Sequence, residues 1–282
     1  GDSGMIRIYD AMSHQIVDSL DLSIPSGPTE SRTYGPECDY TKIPYDYTRT
    51  HMPTNRDTRP GTPSGTAEPT PPDYQLNIIG GFTDAFHFHP IIVRDSTATI
   101  YLHNNMLDYN HSYYVTIDEG VLTLPDHSFH GISKEHNWSF KTKDSAPAST
   151  DTLIVDANGQ GDFNTVQGAL DFIPDFSQKQ TVILIQAGDY EELVYARNKT
   201  NVKIKGAGMD RTRVHYANNE VFNPHPLTVK TNEWPGTFPS RRAAFMLDNC
   251  SDILLEDLTI ATDLHGQAEG LLLNGERIAL YS

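Results

Sequence analysis

Cysteine is nearly absent from this sequence. Cys38 and Cys250 are its two copies in 282 residues, and they fall in different halves. Two lone thiols build neither a disulfide framework nor a zinc centre, and no bridge between them is expected. No apolar run approaches the roughly 18 residues of a membrane span, and the opening residues do not read as a basic, apolar leader. Positive charge is also scarce. Lys+Arg number 21 against 37 Asp+Glu, for a net charge of −16. The imbalance is shared, with 10 basic residues against 19 acidic before residue 150 and 11 against 18 from there on. A chain this acidic, without a basic cluster, is excluded as a binder of nucleic acid or anionic membranes. It would also repel a polyanion, so an acidic polymer could be a substrate only through a local basic groove or neutralised carboxylates. No Gly-x-Ser-x-Gly elbow occurs. No helical pattern follows Pro174, which argues against a doubly wound α/β fold with its crossover helices.

What is present favours turn-rich β structure: 14 tyrosines, 20 glycines and 18 prolines. Residues 1–143 read as all-β. Candidate strands are Met5–Asp10, Gln15–Leu22, Tyr74–Ile79, Ile91–Val93, Ala98–Leu102, Ser112–Asp118 and Asn137–Thr142. Tyr113, Val115 and Ile117 alternate with Tyr114 and Thr116, the period of a half-buried strand. The Pro/Thr-rich stretch 48–72 is expected to be a surface loop. Short strands with long turns suggest a β-sandwich. Residues 144–150 have linker composition and separate this part from 151–282. Both ends of the chain fall in strand-like sequence, which reads as a fragment of a longer polypeptide.

The second part opens with Val155-Asp156-Ala157-Asn158-Gly159-Gln160-Gly161, a strand broken by glycines. A short helix follows. Val166, Ala169, Leu170 and Ile173 form one apolar stripe, with Asn164 expected to cap it and Gln167 to complete a capping box. Further strands are expected at 181–185, 201–205, 252–255 and 277–280. Val182 pairs in spacing with Val202, and Ile253 with Ile278, at a degenerate period of roughly 20 to 25 residues, which is the signature of a β-solenoid. The interval from Val202 to Ile253 is about twice that period and leaves room for two turns. The helix is then expected to cover the solenoid's open end.

Two resemblances sharpen this reading. TIDEGVLTL followed by HNWSFKTK resembles the closing part of bacterial immunoglobulin-like domains that accompany secreted carbohydrate-active enzymes. The opening MIRIYDAMSHQIVDSLDLS is similar to an internal strand pair of that module, which would make it incomplete at its N-terminus. In the second part, the helix segment, then Ile183-Leu184-Ile185-Gln186-Ala187-Gly188-Asp189-Tyr190-Glu191-Glu192, then Asn201-Val202-Lys203-Ile204-Lys205-Gly206-Ala207-Gly208, resembles the N-terminal part of the pectin methylesterases. It covers about residues 152–282 and implies a right-handed parallel β-helix, truncated at its C-terminus. Gly188, Gly206 and Gly208 follow strands, where corners demand positive φ or close approach. Read as a phosphate loop, Gly206–Arg211 fails, because Arg211 replaces the third glycine and no helix pattern follows.

The same resemblance brings the chemistry. His265-Gly266-Gln267-Ala268-Glu269-Gly270-Leu271-Leu272 is similar to the family segment in which a glutamine amide stabilises the oxyanion formed when an ester carbonyl is attacked. Gln267 is carried over as catalytic, with His265 and Glu269 as weaker substrate-binding candidates. The sequence departs from the family at Gly266, which separates the histidine from the glutamine. It departs again at Glu269, where the family has an apolar residue. The family's nucleophilic and acid aspartates lie C-terminal to this glutamine, and no aspartate follows Gln267 here. Asp248, Asp252, Asp257 and Asp263 precede it and match neither motif. Tyr190 and Glu191 suit fold maintenance better than a substrate groove. His87 and His89 share a strand face without a third metal ligand in spacing.

No metal and no cofactor is expected. The resemblance implies a secreted or cell-surface bacterial esterase acting on pectin, with the periplasm also open. The alternatives are another β-helix carbohydrate-active enzyme, such as a lyase, or a non-catalytic polysaccharide-binding or adhesion protein. Four Asn-x-Ser/Thr triplets begin at Asn110, Asn137, Asn198 and Asn249 and read as coincidental. The oligomeric state is not legible.

Overall fold

A computed structural model of the chain describes residues 3–24, 26–27, 75–82, 86–124, 129–136, 138–220, 222–223, 241–264 and 267–282. The expected loop at 48–72, Cys38 and His265 lie outside these residues. The described residues fall into two units, one drawn from 3–27, 75–77 and 87–146 and the other from 78–86 and 147–282.

The strands up to residue 146 are β1 (Met5–Asp10), β2 (Ile16–Asp21), β3 (Leu76–Asn77), β4 (Phe86–His87), β5 (Ile91–Arg94), β6 (Thr97–Ile100), β7 (Ser112–Ile117) and β8 (Ser139–Lys141). In the first unit β2, β1, β7 and β8 form one antiparallel sheet in that order, and β5 and β6 form a separate hairpin. The period-2 pattern of β7 is realised: Tyr113, Val115 and Ile117 are buried against Ile6, Ile8 and Leu20. The reversal between β1 and β2 is held by Asp10, whose carboxylate accepts from the N–H groups of Met12 (3.0 Å) and Ser13 (2.7 Å). On the other side of the sheet, the rings of Tyr9 and Tyr114 stack on each other with centroids 4.7 Å apart.

The second unit continues with β9 (Thr152–Val155), α1 (Val166–Phe172), β10 (Thr181–Ile185), β11 (Gly188–Glu191), β12 (Val194–Arg197), β13 (Thr200–Lys205), β14 (Thr212–Tyr216), β15 (Ala243–Glu256), β16 (Thr259–Thr262) and β17 (Glu269–Tyr281). Every pairing among these strands is parallel. They stack in three faces. β9, β10, β13 and the C-terminal halves of β15 and β17 make the first. The second is β11, β14 and β16, and the third is β12 with the N-terminal halves of β15 and β17. The chain visits the faces in turn, coil after coil, around a core that includes Leu153, Ile183, Tyr190, Ile204, Val214, Phe245 and Leu255. This is a parallel β-helix.

The register corrects the expected coil count. Val202 lies opposite Ile253, and Ile253 opposite Ile278. The long interval from Val202 to Ile253 is therefore one coil, and its surplus lies between β14 and β15, over residues 217–242. Val202 also lies opposite Thr181 rather than Val182, so the apparent Val182–Val202 repeat is off by one. Periodicity alone cannot separate an extra coil from a long excursion at a corner.

The corner between the third and first faces is fixed by a ladder. Asn198 and Asn249 both take left-handed backbone, with φ of 59° and 53°, which asparagine tolerates better than most side chains. The Asn249 amide donates to Asn198 Oδ1 (2.7 Å), and the Asn198 amide donates to Asp175 (3.0 Å). In the next coil Gly275 lies opposite Cys250, where a Cβ would stand 2.0 Å from the Cys250 carbonyl oxygen. The ladder uses the amides of two of the four glycosylation-type triplets. Cys250 itself is buried and free, and burial pushes its thiol up to about 11.

The helix sits where the solenoid reading places it, but its capping differs. The N-cap is Thr165, whose hydroxyl accepts from the Gly168 N–H (3.1 Å). Gln167 has another task. Its amide oxygen accepts from Tyr195 N–H (2.7 Å), and its amide nitrogen donates to the Tyr195 carbonyl (2.8 Å). One side chain thus stands in for a missing strand along β12, an edge that would otherwise offer unpaired backbone. Gly80 continues the closure, because its carbonyl accepts from Arg197 N–H (3.0 Å). Phe82 and Phe86 pack on Tyr195, with ring centroids 5.6 and 4.5 Å away. Residues flanking β12 meet both helix ends. The Glu192 carboxylate accepts from Val166 and Gln167 N–H (2.7 and 3.0 Å), and the Lys199 ammonium donates to the Ile173 carbonyl (2.6 Å). Each charge has the sign that the helix dipole favours.

Candidate functional site

The coils present two places where charged groups converge. The first lies where residues 217–220 leave β14 and residues 263–268 lead into β17. Asn218 is fully buried and staples it: its amide donates to the carbonyls of Arg241 and Ala243, both at 2.7 Å, and its own carbonyl accepts from Thr262 Oγ1 (2.8 Å). Gln267 joins through its backbone, with its carbonyl accepting from Glu220 N–H (2.9 Å). Its side chain is half-buried.

Glu269 is the acid that the sequence flagged. The register puts it opposite Ala243, which is fully buried, so it begins β17 with the same parity as the core residues Leu271 and Leu273. A carboxylate there needs a partner. Arg242 supplies one, donating from Nε (2.8 Å) and Nη2 (2.6 Å) to Glu269 Oε1. Arg242 also lies 3.6 Å from the Glu220 carboxylate, whose side chain is 5% exposed. The guanidinium bridges the two acids. Tyr195 lies beneath, its hydroxyl donating to the Ala243 carbonyl (3.0 Å). Burial first, then the carboxylates of Glu220 and Glu269, holds that phenol well above its ordinary pKa. Arg242 and Glu220 escape sequence reasoning. The Arg241-Arg242 pair before an apolar strand was the available signal, and it gains meaning once Ala243 is known to face Glu269.

The four aspartates before Gln267 are committed elsewhere. Asp248 is fully buried, accepting from Arg197 Nε and the Asn274 amide, both at 2.7 Å. Asp252 pairs with Arg277 (2.7 Å), and Asp257 with Lys205 (2.8 Å). Asp263 contacts His215 and Arg213 in the second charged place, on the outer side of β11 and β14. Tyr190 is a core residue, its hydroxyl donating to the Gln186 carbonyl (3.0 Å). Burial holds the His89 imidazole at about 4.

The fold defines the class: the second unit is a parallel β-helix, with a half-buried ionic cluster at the corner that carries Gln267. Comparison with known proteins adds a likeness to one family. Residues 152–254 match the Pectinesterase family. A protein of Arabidopsis thaliana named "Probable pectinesterase 8" is 30% identical over 141 residues, which cover 49% of this chain and 34% of that protein. A "Pectinesterase/pectinesterase inhibitor" of Ficus pumila var. awkeotsang is 39% identical over 70 residues, covering 24% of this chain and 13% of that protein. Among solved structures, a pectin methylesterase from carrot matches at 24% identity and a TM-score of 0.36, covering 49% of this chain and 40% of that one. Residues 152–254 are thus similar to the pectinesterases. The chain spans well under two thirds of the length of these relatives, and the curated ones are plant proteins.

Proposed function

We propose that the natural protein carrying this chain is a carbohydrate esterase that hydrolyses the methyl esters of pectin, a plant cell-wall polysaccharide. The observation that carries this reading is the pectinesterase match over residues 152–254, which falls on the stacked parallel coils and stops before Gln267. In this reading the Gln267 amide donates to the oxyanion as a water or carboxylate attacks the ester carbonyl. A neutral amide donor suits that role, since it brings no charge of its own to the oxyanion. His265 and Glu269 are the substrate-binding candidates of the same reading. The Arg242–Glu269 pair supports the reading, because an acid held by a guanidinium does not set a bare negative charge against an oxyanion or a polyanionic substrate.

The remaining parts of the proposal rest on the sequence. The coils are right-handed, as nearly all parallel crossovers are. The first unit is an immunoglobulin-like spacer or docking module, and the protein is secreted or held at the cell surface. A bacterial source rests on the resemblance of that unit alone. Its Tyr9 and Tyr114 cover each other's ring faces, which favours a spacer over a sugar-stacking surface. No aspartate follows Gln267 in the 282 residues, so on this reading they are inactive by themselves.

Methanol release from methyl-esterified homogalacturonan tests this. The natural polypeptide should release methanol and the 282-residue chain should not. Gln267→Ala in the former should lower kcat by about 10²–10³, as for loss of one oxyanion donor. Methanol release by the shorter chain at the rate of the full protein would refute the division of labour, and no release by the natural protein would refute the activity.

A further inference from the structure

We propose that the outer surface of the second β-helix face binds a divalent transition-metal ion through His215 Nε2, with Asp189 and Glu191 as carboxylate partners and Asp263 orienting the ring. The register assembles the group. Asp189 lies opposite Arg213 and Glu191 opposite His215, while the alternate residues Tyr190 and Val214 belong to the core. Asp263 follows β16 and reaches the same surface. His215 is 3% exposed, unusual for a side chain on the outward side of a sheet.

The imidazole is held in one state by its neighbours. Nδ1 lies 2.5 Å from Asp263 Oδ2, so Nδ1 carries the proton and donates it to the carboxylate. In the neutral ring Nε2 presents a lone pair. It is buried and makes no hydrogen bond among the described residues, although Asp189 Oδ1 stands 3.1 Å away. A lone pair facing a carboxylate oxygen is repulsive unless positive charge lies between them. Glu191 adds a carboxylate within 4.8 Å of ligand atoms of both His215 and Asp263. Against three carboxylates stands one guanidinium, Arg213, at 2.8 Å from Asp263 and 3.7 Å from Asp189. Carboxylate oxygens beside one imidazole lone pair are a donor set for a dication. A carboxylate on Nδ1 is the usual orienting partner of a metal-binding histidine. Imidazole with carboxylates suits zinc-class ions over calcium or magnesium, which prefer oxygen alone.

The test is calorimetric titration of the chelator-stripped 282-residue chain with ZnCl₂ at neutral pH. One saturable site is expected, with CaCl₂ and MgCl₂ giving no matching heat. Asp189→Asn, at a side chain that is 65% exposed, should fold normally by circular dichroism and weaken the site at least about tenfold. His215→Gln should abolish it. Absence of a saturable zinc site in the wild-type chain would overturn the proposal and leave a proton, as imidazolium, to fill the gap. Unchanged affinity in Asp189→Asn would also overturn it, since zinc would then be held by other surface histidines.

Discussion

Glu192 is fully buried, and desolvation outweighs the two N–H groups it accepts from, raising its carboxyl to about 7 from the ordinary 4.5. The folded protein therefore holds a proton that the unfolded chain releases between those values. Stability contributed by this group is fully present below about pH 4.5 and is lost as the pH rises towards 7. Urea unfolding of wild type and Glu192→Gln across that window should show a slope in the difference between them, with wild type losing ground as the pH rises. Arg242 poses the converse case. Arg242→Ala removes the cation that Glu220 and Glu269 share, and the expected cost is about 1.5–3 kcal/mol by chemical denaturation, as for loss of hydrogen bonds to a charged group. Neither residue was legible in the sequence. Glu192 reads as one acid of a Glu-Glu pair, and its value comes from helix α1, which precedes it in the chain and is brought over it by the fold.

At the scale of elements, the edge of β12 is closed by three dissimilar devices: a glutamine amide, the carbonyl of Gly80 and a pair of phenylalanines. Gly80 has φ of +66°, and a Cβ there would stand 1.7 Å from the Tyr195 carbonyl oxygen. Gly80→Ala should push this strap off the strand. Amide hydrogen exchange would then accelerate at least about tenfold at Arg197, with little change at Ile183 in the core. Helix α1 was readable because its apolar stripe is local, four side chains at helical spacing. Its cap was misassigned to Asn164 because Thr165 is equally suited by type, and the choice is made by which backbone N–H each oxygen reaches. The role of Gln167 was hidden for a different reason. A capping box and an edge mimic use the same residue, and only the position of β12 tells them apart. The packing of Gly80, Phe82 and Phe86 on β12 gave no signal, since these residues lie far along the chain from it.

On the scale of the whole chain, the solenoid was legible from the short strands and missing crossover helices, and the likeness to pectin methylesterases from motifs within those strands. The coil count was not. The interval between Val202 and Ile253 suits two coils of the expected size, yet the register makes it one. This difference matters for function, because the long interval ends at Arg242 and β15, and the register of β15 with β17 makes Arg242 and Glu269 neighbours in adjacent rungs. The most direct measurement is the cross-strand backbone NOE pattern of residues 151–282. Parallel-type contacts between residues 202 and 253, at the strand spacing of about 4.8 Å, are the result this account predicts. A further rung between them, or antiparallel contacts along β15, would contradict it.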